Sequence, residues 1–211
     1  NIRIFTSGPG GHANMFQHMI RPEKIEKNIY ISLEDSYTGI TFPVDVNYHV
    51  IENNQKIQKE ETIYINIPPG IDNNETVNIQ EKGNMINGMC GGLKININIK
   101  GHPYFKRKGL DLIYSHQISL KEALTGFKLE INHISGKKIG LNNIENPNII
   151  KPGYVKLAQG YGMKRDNSVG NLVIEFQIAF PESLNEEQQN KLKEILLNFF
   201  TKNIFLKSII R

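Results

Sequence analysis

The chain has 211 residues, 39% of them hydrophobic and 22% charged, a composition that fits one or two folded domains and excludes wholesale disorder. The net charge is only +4, and its lysines and arginines are scattered among acidic residues, which argues against nucleic acid or an anionic membrane as partner. A single cysteine, Cys90, excludes an internal disulfide and a cysteine-rich zinc site and points to a reducing compartment; with no apolar run of membrane-spanning length and no signal peptide, the chain is expected to be cytoplasmic.

Residues 1–23 read as a leader segment, and since the chain opens on Asn1 without a Met, upstream sequence is expected to have been lost. Gly8 to Gly11 lacks the Gly-Lys-Ser/Thr of a phosphate loop and reads as a flexible turn. His12 and His18 have no third partner for a metal, so no metal and no cofactor is expected.

Residues 24–100 read as a first β lobe. A strand through residues 27–31 leads into Ile31-Ser-Leu-Glu-Asp-Ser-Tyr-Thr-Gly39, in which Ser32 and Asp35 have the spacing of a capping box and Gly39 can close a single short helix. Ile40, Phe42, Val44 and Val46 then alternate with polar residues and Pro43, so four apolar side chains share one face of a strand. Pro43 has no N–H to give to a neighbour, which predicts that residues 41–48 lie on a sheet edge. Glu52-Asn-Asn-Gln55 signals a turn; Ile63, Ile65 and Ile67 alternate into Pro68-Pro-Gly70; Val77 and Ile79, then Leu93 to Ile99, supply two more strands around a loop at residues 83–92.

Residues 101–109 are basic and turn-rich and read as a hinge. A second β lobe over 110–181 repeats the plan: Ile118-Ser-Leu-Lys-Glu-Ala-Leu-Thr-Gly126 restates the capped helix, Phe127, Leu129 and Ile131 alternate as Ile40, Phe42 and Val44 do, and Leu172 to Ile178 form the closing strand. Ile150-Lys-Pro-Gly-Tyr154 answers Ile67-Pro-Pro-Gly-Ile71, Gly160-Tyr-Gly-Met163 answers Lys82-Gly-Asn-Met85, and Gly170 to Leu172 answers Gly92-Leu93. Landmarks that keep their order at a spacing near eighty residues indicate an internal duplication into two small domains, too long a period for a solenoid. The expected fold is therefore mainly β, two tandem lobes with one short helix each.

Residues 182–211 close the chain. Ser183-Leu-Asn-Glu186 has capping-box spacing, and Leu192, Ile195, Leu196 and Phe199 fall on one face of an amphipathic helix of about four turns. That face either docks on its own lobe or meets a second copy, and the apolar tail after Lys202 favours a partner. The chain carries no Gly-x-Ser-x-Gly, no His-Glu-x-x-His and no Cys/His cluster, and it is not expected to be an enzyme.

Pro69-Gly70, His102-Pro-x-Phe105-x-Arg107-x-Gly109-x-Asp111-Leu112, Ile118-Ser-Leu-x-Glu122-Ala-Leu-x-Gly126, Lys151-Pro-Gly153, Gly162-Met163, Gly170-x-Leu172 and Phe180-Pro181 together resemble the C-terminal substrate-binding region of the J-domain (DnaJ) co-chaperones, over residues 25 to 200. The family's cysteine-rich zinc module is absent, so the likeness is to the zinc-free class, and His102-Pro103-Tyr104 is not the His-Pro-Asp of a J domain. The resemblance implies two β-sandwich-like lobes, homodimerisation through the C-terminal segment (Leu192, Ile195, Leu196, Phe199), and a groove on the first lobe for extended peptides. Those would be unfolded client segments or the acidic tail of the seventy-kilodalton heat-shock chaperone. By the same likeness Val44, Val46 and the adjacent Phe42 belong to the groove strand and Ile29 lies across from it. Phe42, Asp45 and Glu61 stand where zinc-free relatives place lysines, and Lys27 where they place an apolar residue, which counts against recognition of an acidic tail. The alternative from another class is an assembly scaffold whose edge strand and apolar tail make fixed contacts.

Overall fold

The computed structural model describes residues 22–208, with side chains in the closing helix as far as Leu197. The leader and its His12 and His18 lie outside the described residues, apart from Pro22 and Glu23. Two compact units emerge, one running through His102 with residues 164–167, the other comprising 103–163 and the residues from Ser168 onward.

In the first unit β1 (Ile25–Ile31) is followed by α1 (Leu33–Thr38), β2 (Ile40–Glu52), β3 (Gln55–Ile67), β4 (Thr76–Ile79), β5 (Met85–Ile86), β6 (Met89–Cys90) and β7 (Leu93–Ile99). They form two sheets, ordered β1-β7-β4 and β3-β2-β5-β6. The inward alternate residues of both, including Ile29, Ile31, Val44, Val46, Ile63, Ile65, Ile95 and Ile97, join in one apolar cluster. This is the sandwich that period-two patterning dictates, each strand turning one face to the core.

The helix signals work as read. Ser32 Oγ accepts from the Asp35 N–H while the Asp35 carboxylate accepts from the Ser32 N–H, both at 3.0 Å. Gly39 ends the turn at φ 75°, a value costly for any residue with a Cβ. The expected loop at 83–92 instead contains the β5–β6 hairpin, turning at Asn87-Gly88 with both residues at positive φ.

The second unit holds β8 (Phe105–Lys108), β9 (Asp111–Ser119), α2 (Leu120–Thr125), β10 (Lys128–Asn132), β11 (Lys138–Asn142), β12 (Val155–Ala158), β13 (Lys164–Arg165), β14 (Ser168–Val169), β15 (Leu172–Ala179) and α3 (Glu186–Ser208). The duplication is visible strand by strand. β9 runs parallel to β15 as β1 does to β7, β12 pairs antiparallel with β15 as β4 does with β7, and α2 carries the same reciprocal cap between Ser119 and Glu122. One strand has no counterpart among the described residues: Phe105–Lys108, within the stretch read as a hinge, is paired antiparallel to β9.

The closing helix differs from its sequence reading in start and length. Its reciprocal cap is Asn185 with Gln188 rather than Ser183 with Glu186, the Asn185 side chain accepting from the Gln188 N–H at 2.8 Å and the Gln188 side chain from the Asn185 N–H at 3.0 Å. Two boxes overlap in sequence, and the later one wins. At 23 residues α3 makes about six turns rather than four.

Candidate functional site

The site is a question of which way the backbone of β2 points. β2 pairs with β3 along its whole length in an unbroken antiparallel register, Ile40 opposite Ile67 through Glu52 opposite Gln55. On its other side β5 reaches only Val50 and Ile51. Residues 40–48 therefore have a partner on one side alone among the described residues, which agrees with the edge expected from Pro43.

Three observations fix the phase. The two-residue turn at Asn53 and Asn54, φ 49° and 62°, makes Glu52 and Gln55 a hydrogen-bonded pair. The His49 N–H leaves the β3 side for Asn84 Oδ1 at 2.9 Å, and the Ile51 carbonyl accepts from the Asn87 N–H at 2.9 Å. Even-numbered residues of β2 thus bond β3, and odd-numbered ones point away from it. Along the free stretch the outward groups are the N–H of Thr41, Asp45 and Asn47 and the carbonyls of Thr41, Pro43, Asp45 and Asn47. Pro43 sits in this outward phase, so it removes one edge donor and costs the β2–β3 ladder nothing.

Of the four predicted peptide-site residues, Ile29, Val44 and Val46 lie in the core cluster, 7%, 5% and 1% exposed, and Phe42 is half-buried against it. Val46 is sealed within the first lobe, so whatever lies along β2 meets Phe42, its half-buried neighbour Ile40, and the backbone edge. Thr41 and Asn47 were not singled out from the sequence, and Asp45 only for its charge; the Asn53-Asn54 turn was the signal that would have fixed their outward phase. β1 also ends its sheet. Its Ile25 N–H bonds Gly92 O and its Ile31 carbonyl accepts from Lys100, so Glu26, Asn28 and Tyr30 carry the outward phase.

Charge around the edge is mixed. Asp45 Oδ1 accepts from the Thr62 hydroxyl at 2.6 Å. Glu61 is paired with Lys82 at 2.7 Å, and that carboxylate raises the Lys82 pKa, its hydrogen bond first and its charge second. In the dimerisation set Leu192 is half-buried, Ile195 and Leu196 are exposed, and the Phe199 side chain lies outside the described residues. Among the described residues no group of His, Cys, Asp and Glu is placed to hold a metal ion, and no helix is long and apolar enough to cross a membrane.

Residues 25–181 match the family model of the DnaJ C-terminal domain. The chain belongs to that family. It is 31% identical to DnaJ protein homolog 1 of Drosophila melanogaster over 178 residues, 82% of this chain and 53% of that protein. It is 34% identical to human DnaJ homolog subfamily B member 11 over 149 residues, 68% of this chain and 41% of that protein. With Arabidopsis thaliana DnaJ protein ERDJ3B the identity is 35% over 136 residues, 63% of this chain and 38% of that protein. The chain thus spans about half the length of these relatives or less. Likeness to these relatives supports a co-chaperone role. It also brings a correction: the subfamily B member 11 and ERDJ3B proteins belong to the lumen of the endoplasmic reticulum, which overturns the cytoplasmic assignment drawn from the single cysteine. One unpaired thiol says that no disulfide forms within the chain; it does not report the compartment.

Proposed function

We propose that this DnaJ C-terminal region holds extended hydrophobic segments of unfolded proteins by strand addition at the free edge of β2, for delivery to a seventy-kilodalton heat-shock chaperone. The observation that carries this reading is the one-sided ladder of residues 40–48, with its outward N–H and C=O groups beside the apolar cluster. An added strand would pair with these groups, and its alternate side chains would extend the core over Ile40 and Phe42.

The magnitudes suit a holding function. Two peptide side chains of Leu or Phe size contribute roughly 1.5–3 kcal/mol each, and a few backbone hydrogen bonds about 1 kcal/mol each. Ordering the peptide takes part of this back, leaving an affinity of about micromolar. A homodimer through α3 would offer two grooves to one client and gain by effective concentration.

The test is titration of a labelled Leu- and Phe-rich peptide against the chain, Val44→Asp and Asn47→Pro. Val44 is core, so its substitution risks the fold. Asn47→Pro removes only an outward donor and leaves the ladder to β3 whole. Micromolar binding to the parent, lost in Asn47→Pro at unchanged melting temperature, supports the groove. Equal binding by parent and Asn47→Pro would remove strand addition at β2 as the mode.

A further inference from the structure

The same phase argument exposes a second edge, which the proposed groove does not use and which does not depend on it. β3 is the terminal strand of its sheet, and β2 takes the bonds of its odd-numbered residues. Lys56, Gln58, Glu60, Thr62, Tyr64 and Asn66 therefore direct their N–H and C=O groups outward, with no partner among the described residues. Unlike β2, this edge has no proline, and its register with β2 runs without a bulge over 13 residues. Residues 55–60 are exposed on both faces, so this part of the strand has no core beneath it. An unbroken edge of this kind is a template for another strand unless it is blocked.

Charge decides which strand. Two copies of β3 can meet antiparallel about a two-fold axis, outward residues opposite outward residues, in only a few registers. Centred on Gln58, Lys56 lies opposite Glu60 on both sides of the axis and no like charges are opposed. Centred on Lys59 the register sets Lys59 against itself, and centred on Glu60 it sets Glu60 against itself. Only the Gln58 register sets opposite charges against each other without opposing like ones; like-charge pairs disfavour the registers centred on Lys56, Lys59 and Glu60, and the one centred on Ile57 gains no charge pair. We infer that β3 is a self-association edge, pairing residues 55–61 of two chains about Gln58 and joining two β3-β2-β5-β6 sheets into one. The interface is isologous, as a two-fold contact must be, and it is separate from α3. A chain that used both would assemble beyond a dimer.

Sedimentation velocity of the whole chain over a wide concentration range tests this. Mass is expected to rise with concentration in the parent. Glu60→Lys, which sets Lys56 against a lysine, should weaken this association at least tenfold, and Lys56→Glu combined with Glu60→Lys should restore it. A Gln58→Cys chain in a Cys90→Ser background should form a disulfide dimer under mild oxidation faster than a Lys121→Cys control, since hydrogen-bonded antiparallel pairs hold Cα atoms about 5.5 Å apart, within disulfide range. Parent behaviour independent of concentration, Glu60→Lys equal to the parent, failure of the double exchange to restore association, or no excess of the Gln58→Cys dimer would each overturn the inference.

Discussion

Pro43 stands opposite Tyr64 in the β2–β3 ladder, a pair in which neither residue bonds the other. The consequence is a rule of parity for β2. Proline placed at an outward position, as in Asn47→Pro, should change the unfolding free energy by less than about 1 kcal/mol. At the neighbouring inward position, Val46→Pro takes a ladder bond and a buried side chain and should cost about 3 kcal/mol or more. Urea denaturation of the two variants measures the difference. Similar losses would mean that the strand is in the other phase.

Ser36 should prove a larger contributor to stability than its exposed neighbours on α1. It is fully buried, its hydroxyl donates to the Ile71 carbonyl at 2.7 Å, and its own carbonyl accepts from the Gly70 N–H at 2.7 Å. It thereby ties the Pro-Pro-Gly turn to the helix. Ser36→Ala removes the hydroxyl donor from a fully buried site and should cost about 1–3 kcal/mol. The matching position in the second lobe is already alanine, Ala123, equally buried, and there the Ile150 N–H bonds the Ala123 carbonyl at 2.9 Å. In both lobes the helix carbonyl is held by the Pro-Gly segment, but by Gly70 in the first and by Ile150, the counterpart of Ile67, in the second, and the hydroxyl is an addition in the first.

What the sequence disclosed depended on whether a feature leaves a local mark. Ile40 to Val46 alternate because one face is buried, and Ser32 with Asp35 advertises a cap through spacing alone, so both were legible. The first half of β3 was not, since residues 55–60 are exposed on both faces and nothing forces alternation. β5 and β6 are two residues each, too short for a period, and only Asn87-Gly88 betrays their hairpin. Ile29 and Val46 were recognisable as apolar strand residues, but their degree of burial depends on the opposite sheet, which no local pattern encodes.

Acidification should destabilise the second unit through His133. The ring is buried, its Nε2–H donates to the Tyr161 carbonyl at 2.9 Å, and Nδ1 accepts from the Ser135 hydroxyl at 2.7 Å and from the Ser135 N–H at 3.2 Å. Burial lowers its pKa, only partly opposed by the Tyr161 hydrogen bond, while Lys137 lowers it further. The folded state then binds fewer protons than the unfolded one just below the ordinary histidine pKa of about 6.5, so stability rises with pH across that window. It is full above about 6.5 and is lost as pH falls towards the depressed folded value. His116, lowered mainly by desolvation, acts in the same direction. Urea denaturation at several pH values should give His133→Gln a flatter pH dependence than the parent and leave the His116 share in place. An unchanged slope would mean that His133 does not titrate in this range.

Recognition of an acidic chaperone tail should be recoverable by charge alone. Glu61 is held by Lys82, so that lysine's charge is already balanced. Glu61→Lys removes a negative charge, frees Lys82 and adds a cation; with Asp45→Lys the local change is four charges. An acidic tail peptide should bind the double variant several-fold more tightly than the parent, and the gain should shrink with added salt. A gain that ignores salt would point to packing rather than charge.

The last prediction separates holding a peptide from protecting a client. Ile195 and Leu196 are exposed on α3, and Leu192 is half-buried. The homodimer proposed above would cover these residues with a second chain. If α3 joins two chains, Leu196→Asp should weaken that contact, while short-peptide affinity, which the proposed β2 groove sets within one chain, should stay within about twofold. Suppression of client aggregation should fall by much more, because one client segment can no longer be passed between two linked grooves and the effective-concentration gain is lost. Peptide titration and a light-scattering aggregation assay on the same preparation measure the two. If aggregation suppression survives in a variant shown by sedimentation to have lost that contact, a single groove suffices and α3 serves another purpose.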